Sequence, residues 1–434
     1  MRTPTLDKRK GKQPNDELPV KPMDVELLTM RTISLVTAAG ACLVIALHAQ
    51  QPGSTVTVFE GARVIVGDGR APLENATIVV NGNVIQQVGR AADIKPATGA
   101  TRVSLTGKTV MPAIVDTHVH TSQTKDALEQ DLRRRAYYGV SAAMSLGQDN
   151  GDAPFQMRGQ LQPGLARFFT AGRGITMPEQ GRTTAPYWIT TADEGRKAVQ
   201  ELAAKKVDIV KIWVDDRNGQ YKKLTPDLYG AVIDEAHKQK LRVTAHLFTL
   251  DDAKGLMRAG IDAFAHGVRD RDVDDEFIAM VRKRPDFVLV PNLPDRGVKT
   301  DLSWLRASLT AEEMQALEKG NTDRADAQTA FGIQARNLAR MNTAGVKIAL
   351  GSDGNTAWAP HAEMADMVAS GMTPAQVVVA ATRNGAEFLR MTDAGTLEAG
   401  KSADFIILDA NPLDDITNTR RIAAVYLRGV AVKR

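Results

Sequence analysis

Apolar and polar positions alternate along this chain with a period that changes from one region to the next. Between residues 55 and 110 the alternation is short and strand-like, in runs at 55–59, 62–66, 76–80 and 84–89. Asn81-Gly82 separates the last two runs. Both residues tolerate the positive φ that a tight hairpin turn demands, so a hairpin is expected there. The far end repeats the pattern, with strand-like runs at 403–408, 423–427 and 429–432. From residue 110 to about 390, apolar runs at 109–116, 140–146, 166–171, 207–213, 242–246, 263–266, 287–291 and 346–353 alternate with helical patterns. The clearest of these helical patterns lie at 192–205, 226–240, 250–258 and 311–338. Eight strands alternating with helices predict parallel βα units closing into a barrel. The expected fold class is α/β: a distorted (β/α)8 TIM barrel over 111–390, with a small β-sandwich domain built from both chain ends, 55–110 plus 391–434. Neither flank alone has strands enough for a core.

The first 50 residues follow neither pattern. Residues 1–29 are polar and aperiodic, with a Lys8-Arg9-Lys10 cluster, and read as a disordered extension. From Met30 the order is Arg31, an apolar run over 33–47, then His48-Ala49-Gln50. That is the pattern of a secretory signal cleaved after Ala49, or of an uncleaved membrane anchor, and it implies a periplasmic or secreted protein. The one cysteine, Cys42, falls inside this run, so no internal disulfide and no thiolate metal cluster is expected.

Composition excludes some classes of partner. The chain has 434 residues and a net charge of only +4, without a basic stripe interleaved with aromatics. No nucleic-acid partner is expected; a small-molecule substrate is, with homo-oligomerisation left open.

Histidine is scarce, at seven residues, so the positions carry information. In a (β/α)8 barrel the active site lies at the C-terminal ends of the strands. The first strand runs into Asp116-Thr117-His118-Val119-His120, and residues i and i+2 of extended backbone point the same way. Lys211 interrupts the fourth apolar run, the fifth ends at His246, the sixth at His266 and the eighth at Asp353. Each has a plainer reading: Lys211 snorkelling from an edge, His246 and His266 as satisfied core histidines, Asp353 as a helix cap. Their coincidence at one end of the barrel argues instead for a metal site.

In this order, Asp116-x-His118-x-His120, Lys211, His246, His266 and Asp353 resemble the amidohydrolase superfamily, over roughly residues 55–434. Residues 395–404 resemble the segment that returns to the small domain. Residues 361–364 and 371–374 are similar to the imidazolonepropionase-like and prolidase-like branch. The resemblance implies two divalent metal ions, of which zinc suits nitrogen and oxygen donors. His118 and His120 would hold the first with Asp353, and His246 and His266 the second. Lys211 would be carboxylated and bridge the ions. A buried lysine disfavours its charged form, and the neutral amine can take up carbon dioxide. A hydroxide between the ions would attack, with Asp353 as general base and then acid.

The implied activity is metal-dependent hydrolysis of an amide C–N bond, of a dipeptide or an N-acyl amino acid. A lactone, cyclic amide or ester hydrolase on the same site is the alternative. A metal-free binding barrel is the non-enzymatic one, against which retention of all six site residues speaks. Lys211 argues against a mononuclear site.

Tyr221, on the loop after the fourth strand, reads either as a group polarising the scissile carbonyl, as in the similar dipeptidases, or as a plain loop tyrosine. Arg173 reads as a carboxylate-binding or a solvated arginine. His361 is expected to be structural or to support a metal ligand from behind, and His237 to be solvated. The chain departs from the branch at 172–181, which lacks a Gly-Gly-His element, and at Leu247, where a small residue usually follows the histidine. The charged stretch 292–342 is expected to form a lid.

Overall fold

All eight apolar runs of the middle region contain parallel strands in the computed structural model, which describes residues 56–95 and 98–434. The expected extension and signal at 1–49 lie outside the described residues. Ile114–Val119, Val140–Ser145 and Arg167–Thr170 form one parallel set. Val210–Val214, Val243–Leu247, Ala263–Ala265, Val288–Val290 and Lys347–Ile348 form another. Two short strands absent from the sequence pattern, Ile175–Thr176 and Tyr187–Trp188, extend the second set beyond Val210–Val214. Backbone bonds link the two sets at both seams: Thr117 N donates to Leu350 O (2.9 Å) and Asp208 N to Thr170 O (3.0 Å).

These strands are buried on both faces, so they read as continuous apolar runs. Val115, Met144, Ala265, Val290 and Ala349 belong to an inner cluster. Ile114, Ile212, Ala245, Phe264 and Leu289 pack outward in a second cluster with helix residues such as Val199, Val232 and Leu256. Lys211 lies between the outward Val210 and Ile212, and Thr244 and His246 flank the outward Ala245. The polar residues therefore take the inner positions of their strands.

One expected strand serves two sheets. The 109–116 run breaks at Ala113: Thr109–Pro112 joins a mixed sheet, and Ile114–Val119 opens the parallel set. His118 consequently lies inside a strand rather than after it.

Three helices begin with clear local signals. Thr191 and Glu194 form a capping box at the start of Ala192–Ala204. Thr225-Pro226 opens Pro226–Lys238, and the Thr249 side chain accepts from Asp252 N at the head of Leu250–Arg258. The helix expected over 311–338 divides into Ala311–Gly320 and Ala325–Thr343. Gly320-Asn321 ends the first, and the Asn321 amide then bonds both Thr300 N (2.8 Å) and Thr300 O (2.7 Å). No helix among the described residues is long and apolar enough to cross a membrane.

The mixed sheet draws on both ends of the described chain. Its order is Val430–Ala431, Ile422–Leu427, Phe405–Leu408, Thr109–Pro112, Val56–Val64, Leu73–Asn81, Val84–Arg90, with Thr101–Ser104 beside Val56–Val64. Val64 pairs with Val110, and Val110 with Ile407. In a flat sheet this register would hold Phe59 on the order of 15 Å or more from Phe405 at about 3.3 Å per residue. Instead Phe59 meets Phe405 at 5.2 Å and Tyr426 at 5.0 Å between ring centroids. The sheet folds over its own apolar face.

Candidate metal centre

His118, His266 and Asp353 each offer a donor atom, and these lie within 4.8 Å of one another. Asp353 Oδ1 is 3.3 Å from His118 Nε2 and 3.0 Å from His120 Nε2, while its Oδ2 is 3.5 Å from His266 Nε2. The His246 ring follows, 4.6 Å from that of His266 between centroids. The structure thus brings five of the expected ligands around one strand end. Lys211, fully buried, stands on the strand next to that of His246, its Nζ 5.4 Å above the Trp213 ring.

Burial decides the charge state of this group. It pushes His118 down to about 3 and His246 and His266 well below the ordinary histidine value, so these imidazoles are neutral at neutral pH. Burial also pushes Lys211 down to about 7, assisted by Arg269 and Arg217 against the pull of Asp353. Asp353 behaves oppositely. Burial pushes it up, but a hydrogen bond from His120 and the polar surroundings bring it below the ordinary carboxylate value, so it is ionised at neutral pH. Neutral imidazoles beside one carboxylate are the protonation states that metal binding requires.

Hydrogen bonds set the rings. Asn292 Oδ1 can only accept, so His118 donates from Nδ1 (2.8 Å) and leaves the Nε2 lone pair toward Asp353. Asp215 Oδ2 accepts from His246 Nε2 (2.8 Å), which leaves Nδ1 bare, and Arg217 holds Asp215 at 2.7 Å. Arg217 also reaches Glu179 at 3.3 Å. Below the site, Asp116 and Arg135 are both fully buried and paired at 3.2 Å, and Ser352 Oγ donates to Asp116 at 2.6 Å.

Several buried polar atoms here have no partner: His118 Nε2, His120 Nδ1, Lys211 Nζ, Thr244 Oγ1 and Asn292 Nδ2. Lys211 and Thr244 are cross-strand partners, so an amine and a hydroxyl are left unsatisfied side by side. Native interiors rarely leave such groups unpaired. Histidine lone pairs gathered around Asp353, and nearby a buried amine that loses its proton readily, fit divalent cations and a carboxylated lysine.

The backbone is strained at the same place. His266 (φ 135°), Asp353 (φ 49°), Asn292 (φ 43°) and Arg217 (φ 55°) all take positive φ without being glycine. Such conformations persist where surrounding structure imposes them, and they cluster at functional sites. Glycine supplies the needed room elsewhere. A Cβ on Gly351 would lie 2.8 Å from His118 Cβ, and one on Gly174 would lie 2.0 Å from the Trp213 ring.

Two expected site residues are engaged otherwise. Arg173 donates to the carbonyls of Ala185 (2.6 Å) and Pro186 (3.0 Å) and stacks over Tyr187 at 4.1 Å, so its guanidinium staples the loop after the third strand. The Tyr221 hydroxyl donates to Gln180 O at 3.1 Å. His361 is structural as expected, bonded to Tyr138 O and Thr419 Oγ1. His237 is not merely solvated: it pairs with Asp262 at 2.9 Å. The 292–342 segment borders a cavity of about 390 Å³ against Ser352, Trp358, Glu363 and Asp366. Asn292, Asp215, Arg217 and Arg269 were missed from sequence. Their only signal is a polar residue within four positions of an expected strand end.

Known proteins agree with this geometry. Residues 219–432 match the amidohydrolase family. The imidazolonepropionase of Streptomyces coelicolor is 27% identical over 382 residues, covering 82% of this chain and 92% of that protein. A Bifidobacterium longum structure assigned as a prolidase superposes with a TM-score of 0.73 at 26% identity, over 88% of this chain and 96% of that one. A Xaa-Pro dipeptidase structure with methionine in its active site gives 0.70 at 22% identity, over 87% and 100%, a likeness of fold. The family matched here is one of hydrolases acting on carbon–nitrogen bonds, and the His/Asp cluster is a candidate metal site of the kind such enzymes use. The amidohydrolase family model matches residues 219–432, and the similarity to these relatives extends over 82–88% of the chain.

Proposed function

We propose that this chain is a binuclear amidohydrolase that cleaves an amide bond in a small molecule, a dipeptide or an N-acyl amino acid. The observation that carries the reading is the unsatisfied Lys211 amine, fully buried opposite Thr244 on the strand beside that of His246. A carbamate on Lys211 would give both polar atoms partners and supply the anionic oxygens that two cations need. His118, His120 and Asp353 would hold one ion, and His246 and His266 the other. The seam bonds Thr117–Leu350 and Asp208–Thr170 support one closed barrel around this set.

Bound divalent ions, zinc for this donor set, would supply a water acidic enough to attack near neutral pH. Asp353 is the exposed member of the cluster, 34% accessible in its side chain, so it can meet substrate. As the water oxygen bonds to the carbonyl carbon, Asp353 accepts its proton. As the C–N bond breaks, Asp353 returns that proton to the leaving nitrogen. Asp215 and Asn292 hold the His246 and His118 rings in their tautomers throughout. Tyr221 would have to release Gln180 to take part.

Metal analysis joined to a panel of N-acyl amino acids, dipeptides and lactones tests the reading. About two ions per chain and amide hydrolysis, both lost in Lys211→Ala, are expected. Fewer than about one ion per chain, with any activity unchanged in Lys211→Ala, would overturn it.

A further inference from the structure

Arg269 stands three residues past His266, on the loop that follows the sixth parallel strand. Its backbone N–H donates to Phe248 O at 2.9 Å, which ties this loop to the one after His246. Its guanidinium carbon lies 6.0 Å from the Phe248 ring centroid. Nε and Nη2 are buried and have no hydrogen-bond partner. These two atoms form the side-on edge of the guanidinium, the pair of parallel N–H groups that grips a carboxylate in bidentate fashion. The same charge is felt by Lys211, His246 and His266, and Arg269 in turn feels Asp215 and Asp353, so it faces the candidate site.

The carboxylates nearby do not meet this edge. Asp215 is taken by Arg217 and His246, and Glu179 by Arg217 and Arg182. Arg173 is equally occupied, by backbone carbonyls. Arginine keeps its proton even where burial disfavours the charge. A buried guanidinium edge without a partner, beside the candidate site, therefore calls for an anion from outside the chain.

We propose that Arg269 anchors a carboxylate of the substrate, and that the site selects amides whose leaving amine carries that carboxylate over neutral amides. The proposal rests on the amidohydrolase reading and gives Arg269 the role that the sequence suggested for Arg173.

The test compares the best N-acyl amino acid of the panel with its C-terminal carboxamide, on wild type, Arg269→Met and Arg269→Lys, with metal content measured for each. Wild type should prefer the acid by about 10²-fold or more in kcat/KM, as sites built around a polar partner do. Arg269→Met should raise KM for the acid, with a loss at least tenfold greater on the acid than on the amide and metal content retained. Arg269→Lys should recover part of it. Equal losses on acid and amide would overturn the proposal, and so would loss of metal in Arg269→Met, which would place Arg269 in support of the Lys211 carbamate. A wild type that cleaves both alike would leave the amidohydrolase reading standing and remove the anchor. Should wild type cleave neither, calorimetric titration with the N-acyl amino acid decides. Binding to wild type but not to Arg269→Met keeps the anchor and removes the amide reading, whereas binding to neither removes the anchor.

Discussion

Asn292 Oδ1 accepts a hydrogen bond from His118 Nδ1 across 2.8 Å, linking the end of the seventh parallel strand to the C-terminal end of the first. The bond holds the His118 lone pair toward Asp353. Asn292→Gly removes the amide while suiting the φ of 43° at this position. Metal affinity should fall about 10- to 100-fold, as it does when partners of ligating histidines are lost. A competition titration with a chromophoric chelator measures this, and unchanged affinity would remove Asn292 from the metal site.

Gly351 admits no larger residue. A Cβ there would lie 2.5 Å from Val290 Cγ1, 2.8 Å from His118 Cβ and 2.9 Å from Asn292 Nδ2. Gly351→Ala should destabilise the fold by about 1–3 kcal/mol through overpacking and displace His118. Chemical denaturation and bound-metal analysis check both effects. A variant with normal stability and full metal content would show that the eighth strand end yields more easily than its packing implies.

Asp116 and Arg135 should act as a unit. Arg135→Met leaves a fully buried carboxylate with only hydroxyl and backbone donors, and should cost about 3–5 kcal/mol. Asp116→Asn combined with Arg135→Met should be less destabilising than the sum of the single changes by about 1 kcal/mol or more. Strict additivity in urea titrations would mean that the pair is not coupled.

His361 sets an acid limit away from the metal site. Burial, with the charges of Arg420 and Arg434, pushes it down to about 4, against about 6.5 in an unfolded chain. Between these values the unfolded chain binds a proton that the folded one refuses, so stability falls as pH drops through this window. The loss is on the order of 3 kcal/mol and levels off below about pH 4. His361→Gln, which can still bond Tyr138 O and Thr419, should flatten that slope. An identical slope in both proteins would assign the acid sensitivity to other groups.

The sequence exposed the ligand set because each member interrupts an apolar run. Lys211 and His246 stand out for that reason, and the run itself places them on the inward alternation. The division of 109–116 into two strands was not legible, since a run buried in two sheets is apolar throughout. Nor could spacing reveal that Arg173 would be occupied by the carbonyls of Ala185 and Pro186, whereas Nε and Nη2 of Arg269 would stay without partners. Both are arginines just past a strand, and only the path of the neighbouring loop separates them.

Phe59 completes its aromatic cluster with Phe405 and Tyr426, which lie more than 340 residues later in the chain. During synthesis the first half of that sheet therefore emerges with its apolar face uncovered and keeps it so until the final strands leave the ribosome. The strands of the parallel sheets, whose neighbours lie nearer in sequence, have partners sooner. A chain cut before Phe405 would keep every candidate ligand and still lack the strands that cover Phe59, so aggregation during translation is the hazard this architecture carries.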